Sequence, residues 1–225
     1  MTKTKQFDQV FDFLAHLYRG NWEYRWAQVP FMDQASKNLK GESILAHQWS
    51  CITLWILLKP VLPALSKHID SAKLYECLAL HDIGEIVVGD TPKVEQLELG
   101  SLRKQEIERR EIDTDIEKLP LSLQNTIRTY YQEYTFNKNV DITVLLARYL
   151  DNLQGNHFGL VYGIELSHHS DLISKIVSKY FLPVSKQLLD LSTSLDPQAG
   201  MEIQSLTEYH LQTIRNAGIN LDIEQ

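Results

Sequence analysis

Apolar residues recur along this chain at intervals of three and four, with no β-alternation worth building a sheet on, and that pattern confines it to an all-α fold. Phe7, Val10, Phe11, Leu14 and Leu17 predict a first amphipathic helix ending near Gly20. Ser43 is placed to cap a second, whose Ile44, His47, Cys51, Leu54, Trp55 and Leu58 share one face before Pro60 and Pro63 stop it. Asp70 or Ser71 caps a third, expected to run unbroken to Gly89 with Leu74, Leu78, His81, Asp82 and Glu85 on one side. After an irregular stretch, residues 102–119 predict a charged, largely solvent-facing helix before Pro120. Segments 122–136 and 141–154 read as a helical hairpin turned at Asn137-Lys138-Asn139. Two more helices, about 171–191 and 201–216, are separated by a linker over 192–200 and closed near Gly218.

The 225 residues suffice for one sizeable core, so a single domain over 1–225 is expected. A net charge of -7, with no dense Lys/Arg track, argues against a nucleic-acid polymer as partner, whereas a small anionic ligand needs only a local basic pocket. Cys51 and Cys77 sit inside apolar helical patterns and read as reduced core residues. The N-terminal segment is interrupted by Asp8, Asp12 and His16 and lacks the apolar run of a secretory signal. The longest apolar run, Ile52 to Leu58, is far too short for a bilayer. A cytoplasmic protein without membrane contact is the expectation.

The informative residues are ionisable ones placed where periodicity predicts burial, because burying such a group costs several kcal/mol unless it is paired or binds a metal. His47 lies on an apolar stripe between Ile44 and Cys51; taken alone it reads as a hydrogen-bonded core histidine. His81 and Asp82 diverge by about 100° around a helix, yet a long imidazole and a short carboxylate can converge on one ion. Asp151 falls between Leu150 and Leu153, with a salt bridge to Arg148 as the plainer explanation. Together, two imidazoles and two carboxylates on three helices make a mixed nitrogen and oxygen set suited to a divalent ion such as Mn, Co, Fe, Zn or Mg.

These residues stand in the order ESILAH, HDIGE, GDTPK and RYLD, and the set resembles the HD-domain hydrolases, in particular the bacterial 5'-deoxynucleotidase (YfbR-like) group. FLAHLYRGNWEYRW, residues 13 to 26, is similar to the N-terminal helix and Arg-Trp pair of that group. The resemblance covers about residues 7–160, a catalytic core within an HD-type helical bundle, and leaves a C-terminal helical extension of about 164–225. It implies that His47, His81, Asp82 and Asp151 bind the metal, that Glu85 and Asp90 serve the reaction, that Arg25 contacts phosphate and that Trp26 lies against the sugar. Thr91 and Lys93 complete the implied substrate contacts, and a homodimer is implied as well. The chain departs from the group at Ala46, where relatives carry an acid, and in a longer loop between Trp26 and Glu42.

Each role has a plainer alternative. Glu85 shares the helical face of His81 and Asp82, where it can act as general acid or base, or it is a surface carboxylate. Asp90 follows Gly89 and reads equally as an ordinary Gly-Asp turn. Arg25 offers a planar fork for phosphate, or stacks on Trp22 or Trp26. The expected function is metal-dependent removal of phosphate from deoxynucleoside 5'-monophosphates. The alternatives are an HD hydrolase of deoxynucleoside triphosphates or another phosphorylated metabolite, and a non-catalytic nucleotide or metal sensor.

Overall fold

The computed structural model describes residues 9–89, 101–135 and 141–221, apart from 13, 16, 27, 28, 30 and 33–40. Two short strands, β1 (Tyr24–Arg25) and β2 (Glu42–Ser43), pair antiparallel, with Arg25 opposite Glu42. With an isolated antiparallel bridge between Met32 and Gly163, they are a minor extended part of a chain that is otherwise helical among the described residues, as expected. Gly41 makes their approach possible: its φ of +89° is left-handed, and a Cβ there would collide with the Arg25 carbonyl. The ladder leads directly into α1 (Ile44–Leu58), whose N-terminus is capped by the Ser43 hydroxyl accepting from the Ala46 amide at 3.2 Å, as expected.

A short α2 (Pro63–Ser66) precedes α3 (Ser71–Leu80), which is capped by Asp70 accepting from the Ala72 and Lys73 amides at 3.0 and 3.1 Å. The expectation of one helix through to Gly89 does not hold. Residues 81–84 form turns before a short α4 (Glu85–Val88), held by bonds such as Glu85 N to Asp82 O at 3.0 Å. Spacing of this i to i+3 kind eclipses residues three apart, so Asp82 and Glu85 stay on one side although the regular helix has ended.

Next come α5 (Ser101–Ile116), α6 (Leu121–Thr135) and α7 (Ile142–Tyr162). The charged α5 is largely solvent-facing among its described side chains, as expected, and it is anchored by Ile112 and Ile116, one turn apart, which are buried in a cluster with Ile44, Ile83, Ile86, Ile127 and Tyr131. The turn expected at Asn137-Lys138-Asn139 lies outside the described residues. Helices α1, α3 and α7 pack against one another, with α6 laid on α3 and α7.

The chain then continues through α8 (Ser170–Ile176), a π-helical turn at Val177–Phe181, α9 (Leu182–Leu195) and α10 (Pro197–Asn216). No linker separates the last two helices. Asp196 ends one and caps the next by accepting from the Gln198 amide at 2.9 Å, while Pro197 takes the first helical position, where its missing N–H costs nothing. Gly218 follows with a φ of +81°, where the expected stop was placed. The larger core cluster joins Trp55, Leu74, Leu78, Leu146 and Leu150 to Phe181, Leu188, Ile203 and Ile214, so the C-terminal helices share it with α1, α3 and α7. Among the described residues, no helix is long and apolar enough to cross a membrane.

Candidate metal centre

Three elements bring the expected ligands together. His47 comes from the middle of α1, His81 and Asp82 from the turn that ends α3, and Asp151 from the middle of α7. His47 Nε2 lies 3.2 Å from His81 Nε2, 3.0 Å from Asp151 Oδ1 and 3.6 Å from Asp82 Oδ2. His81 Nε2 lies 3.2 Å from Asp82 Oδ2 and 3.8 Å from Asp151 Oδ1. Two donors each about 2.1 Å from a common ion stand about 3.0 Å apart at a right angle and about 3.4 Å apart at the tetrahedral angle. The observed separations are of that size, and both imidazoles are buried. His81 Nδ1 faces the Leu78 carbonyl at 3.0 Å, which can only accept, so Nδ1 donates there and Nε2 is the atom turned to the cluster. The donor set therefore fits a divalent cation.

Neighbouring groups hold these side chains in place. Asp151 Oδ2 accepts from the Tyr134 hydroxyl at 2.9 Å, which leaves Oδ1 turned to the imidazoles. Burial, Asp151 and Asp82 push the Tyr134 hydroxyl well above its ordinary pKa, so it remains a donor. The alternative partner for Asp151 is otherwise engaged: Arg148 Nε donates to the Tyr134 carbonyl at 2.6 Å. His47 Nδ1 lies 2.6 Å from Gln154 Oε1, and Gln154 Nε2 donates to Glu42 Oε1 at 2.7 Å. Burial and Arg25 disfavour a charged His47, yet Cys51 and the Asp151 carboxylate raise its pKa well above the ordinary value. Burial acts to raise Asp82, but His81, Arg25 and His47 hold its carboxyl well below the usual range. The pocket is built to favour positive charge at its centre.

Arg25 supplies part of that charge. Its guanidinium lies against the carboxylates, Nη1 at 3.3 Å from Asp82 Oδ2 and Nη2 at 4.0 Å from Asp151 Oδ1. Trp26 follows with a φ of 70°, which turns its indole onto α7, where it stacks on Phe158 at 6.1 Å and lies over Gly155 and Gly159. Glu85 is buried at the start of α4, three residues past Asp82. Asp90, Thr91 and Lys93 lie outside the described residues.

Sequence reasoning missed Glu42, Tyr134 and Gln154. For Gln154 a signal existed, since it stands three residues after Asp151 on the same buried stripe of α7. Tyr134 and Glu42 come from other elements, and nothing in their local pattern ties them to the centre.

A search of the curated proteins finds no match. Among solved structures, a predicted metal-dependent phosphohydrolase from Magnetospirillum magnetotacticum MS-1 superposes with a TM-score of 0.62, over 96% of this chain and 100% of that one, at 17% identity. At that identity the likeness speaks to the fold. The HD domain model matches residues 33–174, a span that contains all four clustered residues and the helices that carry them. On that match the chain belongs to the HD domain family.

Proposed function

We propose that this chain is a cytoplasmic metal-dependent phosphohydrolase that removes phosphate from deoxynucleoside 5'-monophosphates. The observation that carries the reading is a cluster of two buried imidazoles, His47 and His81, with Asp82 and the neighbouring Asp151, both carboxylates half-buried, and a guanidinium 3.3 Å from the first of them. The description of the Magnetospirillum protein as a predicted metal-dependent phosphohydrolase supports the reaction class.

His47, His81, Asp82 and Asp151 would hold the ion, which when bound supplies a Lewis acid for a phosphoryl oxygen and for the attacking water. The remaining work belongs to the chain itself. Arg25 has a planar, permanently charged fork, and from its place beside the cluster it holds the non-bridging phosphate oxygens. Glu85 takes the proton of the attacking water on a carboxylate oxygen and returns it to the leaving 5'-oxygen, with Asp90 positioning the reacting groups. Trp26, next in sequence to Arg25 and braced on α7, forms a rigid wall for the sugar that disfavours a 2'-hydroxyl. Thr91 and Lys93 add polar contacts to the substrate.

The test is release of phosphate, pyrophosphate or triphosphate from a panel of ribo- and deoxyribonucleotides with Mn, Co, Mg or Zn. Phosphate from deoxynucleoside monophosphates is the expected product. Triphosphate from deoxynucleoside triphosphates would change the substrate class, and no turnover with any metal would make the chain a sensor. Trp26→Ala is expected to narrow the preference for deoxyribose over ribose, and unchanged selectivity would remove that residue from the sugar site. Sedimentation of the same preparation tests for the proposed homodimer.

A further inference from the structure

We propose that Gln154 and Glu42 are positioning residues that set the metal affinity of the centre by locking His47 in the tautomer that presents Nε2. The inference rests on the four-residue metal site proposed above.

The hydrogen-bond relay to His47 starts at Glu42, whose carboxylate oxygen accepts. Its Oε1 lies 2.7 Å from one end of the Gln154 amide, so that end is the NH2 group, and the carbonyl oxygen must point the other way. That oxygen is 2.6 Å from His47 Nδ1, which must therefore carry a proton and donate. With Nδ1 committed to Gln154, the proton that His47 gives up on binding a metal is the one on Nε2, whose lone pair then faces the cluster. His47 is fully buried, so no solvent competes to restore the other tautomer.

His81 reaches the same state through the Leu78 carbonyl. The two Nε2 atoms then converge to 3.2 Å, each with a carboxylate oxygen beside it, Asp151 Oδ1 at 3.0 Å from His47 and Asp82 Oδ2 at 3.2 Å from His81, which is how donors gather around a shared cation. Glu42 adds to the demand for that cation. Its second oxygen lies 3.6 Å from His47 Nδ1, so Glu42, Asp82 and Asp151 surround the two imidazoles with Arg25 in salt-bridge contact with the two aspartates. Because Glu42 pairs with Arg25 in the β1–β2 ladder, one backbone unit places both the phosphate-binding fork and the acid that orients His47.

The experiment measures Co(II) affinity of the full chain by chelator competition and records exchangeable, hyperfine-shifted imidazole N–H signals of the Co(II)-loaded protein. Partners of this kind change metal affinity by about 10- to 100-fold when removed. Gln154→Leu is expected to weaken Co(II) binding by that factor and to lose one of two exchangeable N–H signals, that of His47. The paired exchange E42Q/Q154E rebuilds a carboxylate and an amide in reversed order, and is expected to recover affinity and signal. A Gln154→Leu protein that binds Co(II) within twofold of the parent, or an exchange no better than that single variant, overturns the positioning role. Asp82→Ala separates the two claims: if it binds Co(II) like the parent, the metal site itself is wrongly placed.

Discussion

Replacing Asp82 with Ala removes a carboxylate oxygen that lies 3.2 Å from His81 Nε2 and 3.6 Å from His47 Nε2, spacings fit for two ligands of one ion. If losing this anionic ligand raises Kd by about 100-fold, the cost is about 2.7 kcal/mol of binding free energy. An ion present at about 100 times its Kd stabilises the parent fold by about 2.7 kcal/mol. For a chain of this size that is a rise in Tm of about 5–10 °C. At the same ion concentration the variant would sit near its own Kd and gain only about 0.4 kcal/mol, or about 1 °C. Thermal unfolding of both proteins, stripped with chelator and then titrated with Mn or Co, reads these shifts directly. Comparing each protein with and without metal cancels whatever stability is lost when Arg25 gives up its contact with Asp82. A metal-induced shift in Asp82→Ala equal to that of the parent would place the ion elsewhere and refute the geometric argument.

Glu85→Gln is expected to keep bound metal while lowering kcat by about 10²–10⁴-fold, and full activity would end its assignment as proton carrier. Glu202 on α10 caps α2 from a distance, its two oxygens accepting from the Ala64 and Leu65 amides at 3.0 and 2.9 Å. Glu202→Ala should therefore cost about 2–4 kcal/mol in urea unfolding, against no change if those amides find other partners. Burial, reinforced by His157, holds His210 down at about 4 against an ordinary 6.5. Between those values the unfolded chain takes up a proton that the folded chain refuses, so stability from this group is complete above about pH 6.5 and falls by about 3 kcal/mol towards pH 4. Denaturant unfolding of His210→Gln should show a flatter acid limb, and an unchanged limb would contradict the assignment.

Local chemistry made much of this molecule legible. Helical periodicity, the Ser43 and Asp70 caps and the Gly218 stop all depend on residues within a turn or two of one another, and each appears in the fold. The cluster was visible for a related reason. His47 and Asp151 interrupt apolar stripes, and an ionisable group on a stripe needs a partner whatever the fold turns out to be. The end of the third helix was not legible: regular α-helix stops at Leu80, where residues 81–84 tighten into i to i+3 turns that keep the same residue spacing on one side and so look like further α-helix in the apolar pattern.

Helicity, several helix boundaries and the cost of placing His47 and Asp151 on apolar stripes can all be read from residue order. What offsets that cost follows from packing: Tyr134 beside Asp151, Gln154 backed by Glu42 for His47, and Arg25 beside both aspartates. The physical reason is one of range. Periodicity and capping are written into each segment's own backbone and side-chain directions, whereas a hydrogen-bond partner 107 residues away, as Gln154 is from His47, is chosen by how helices pack.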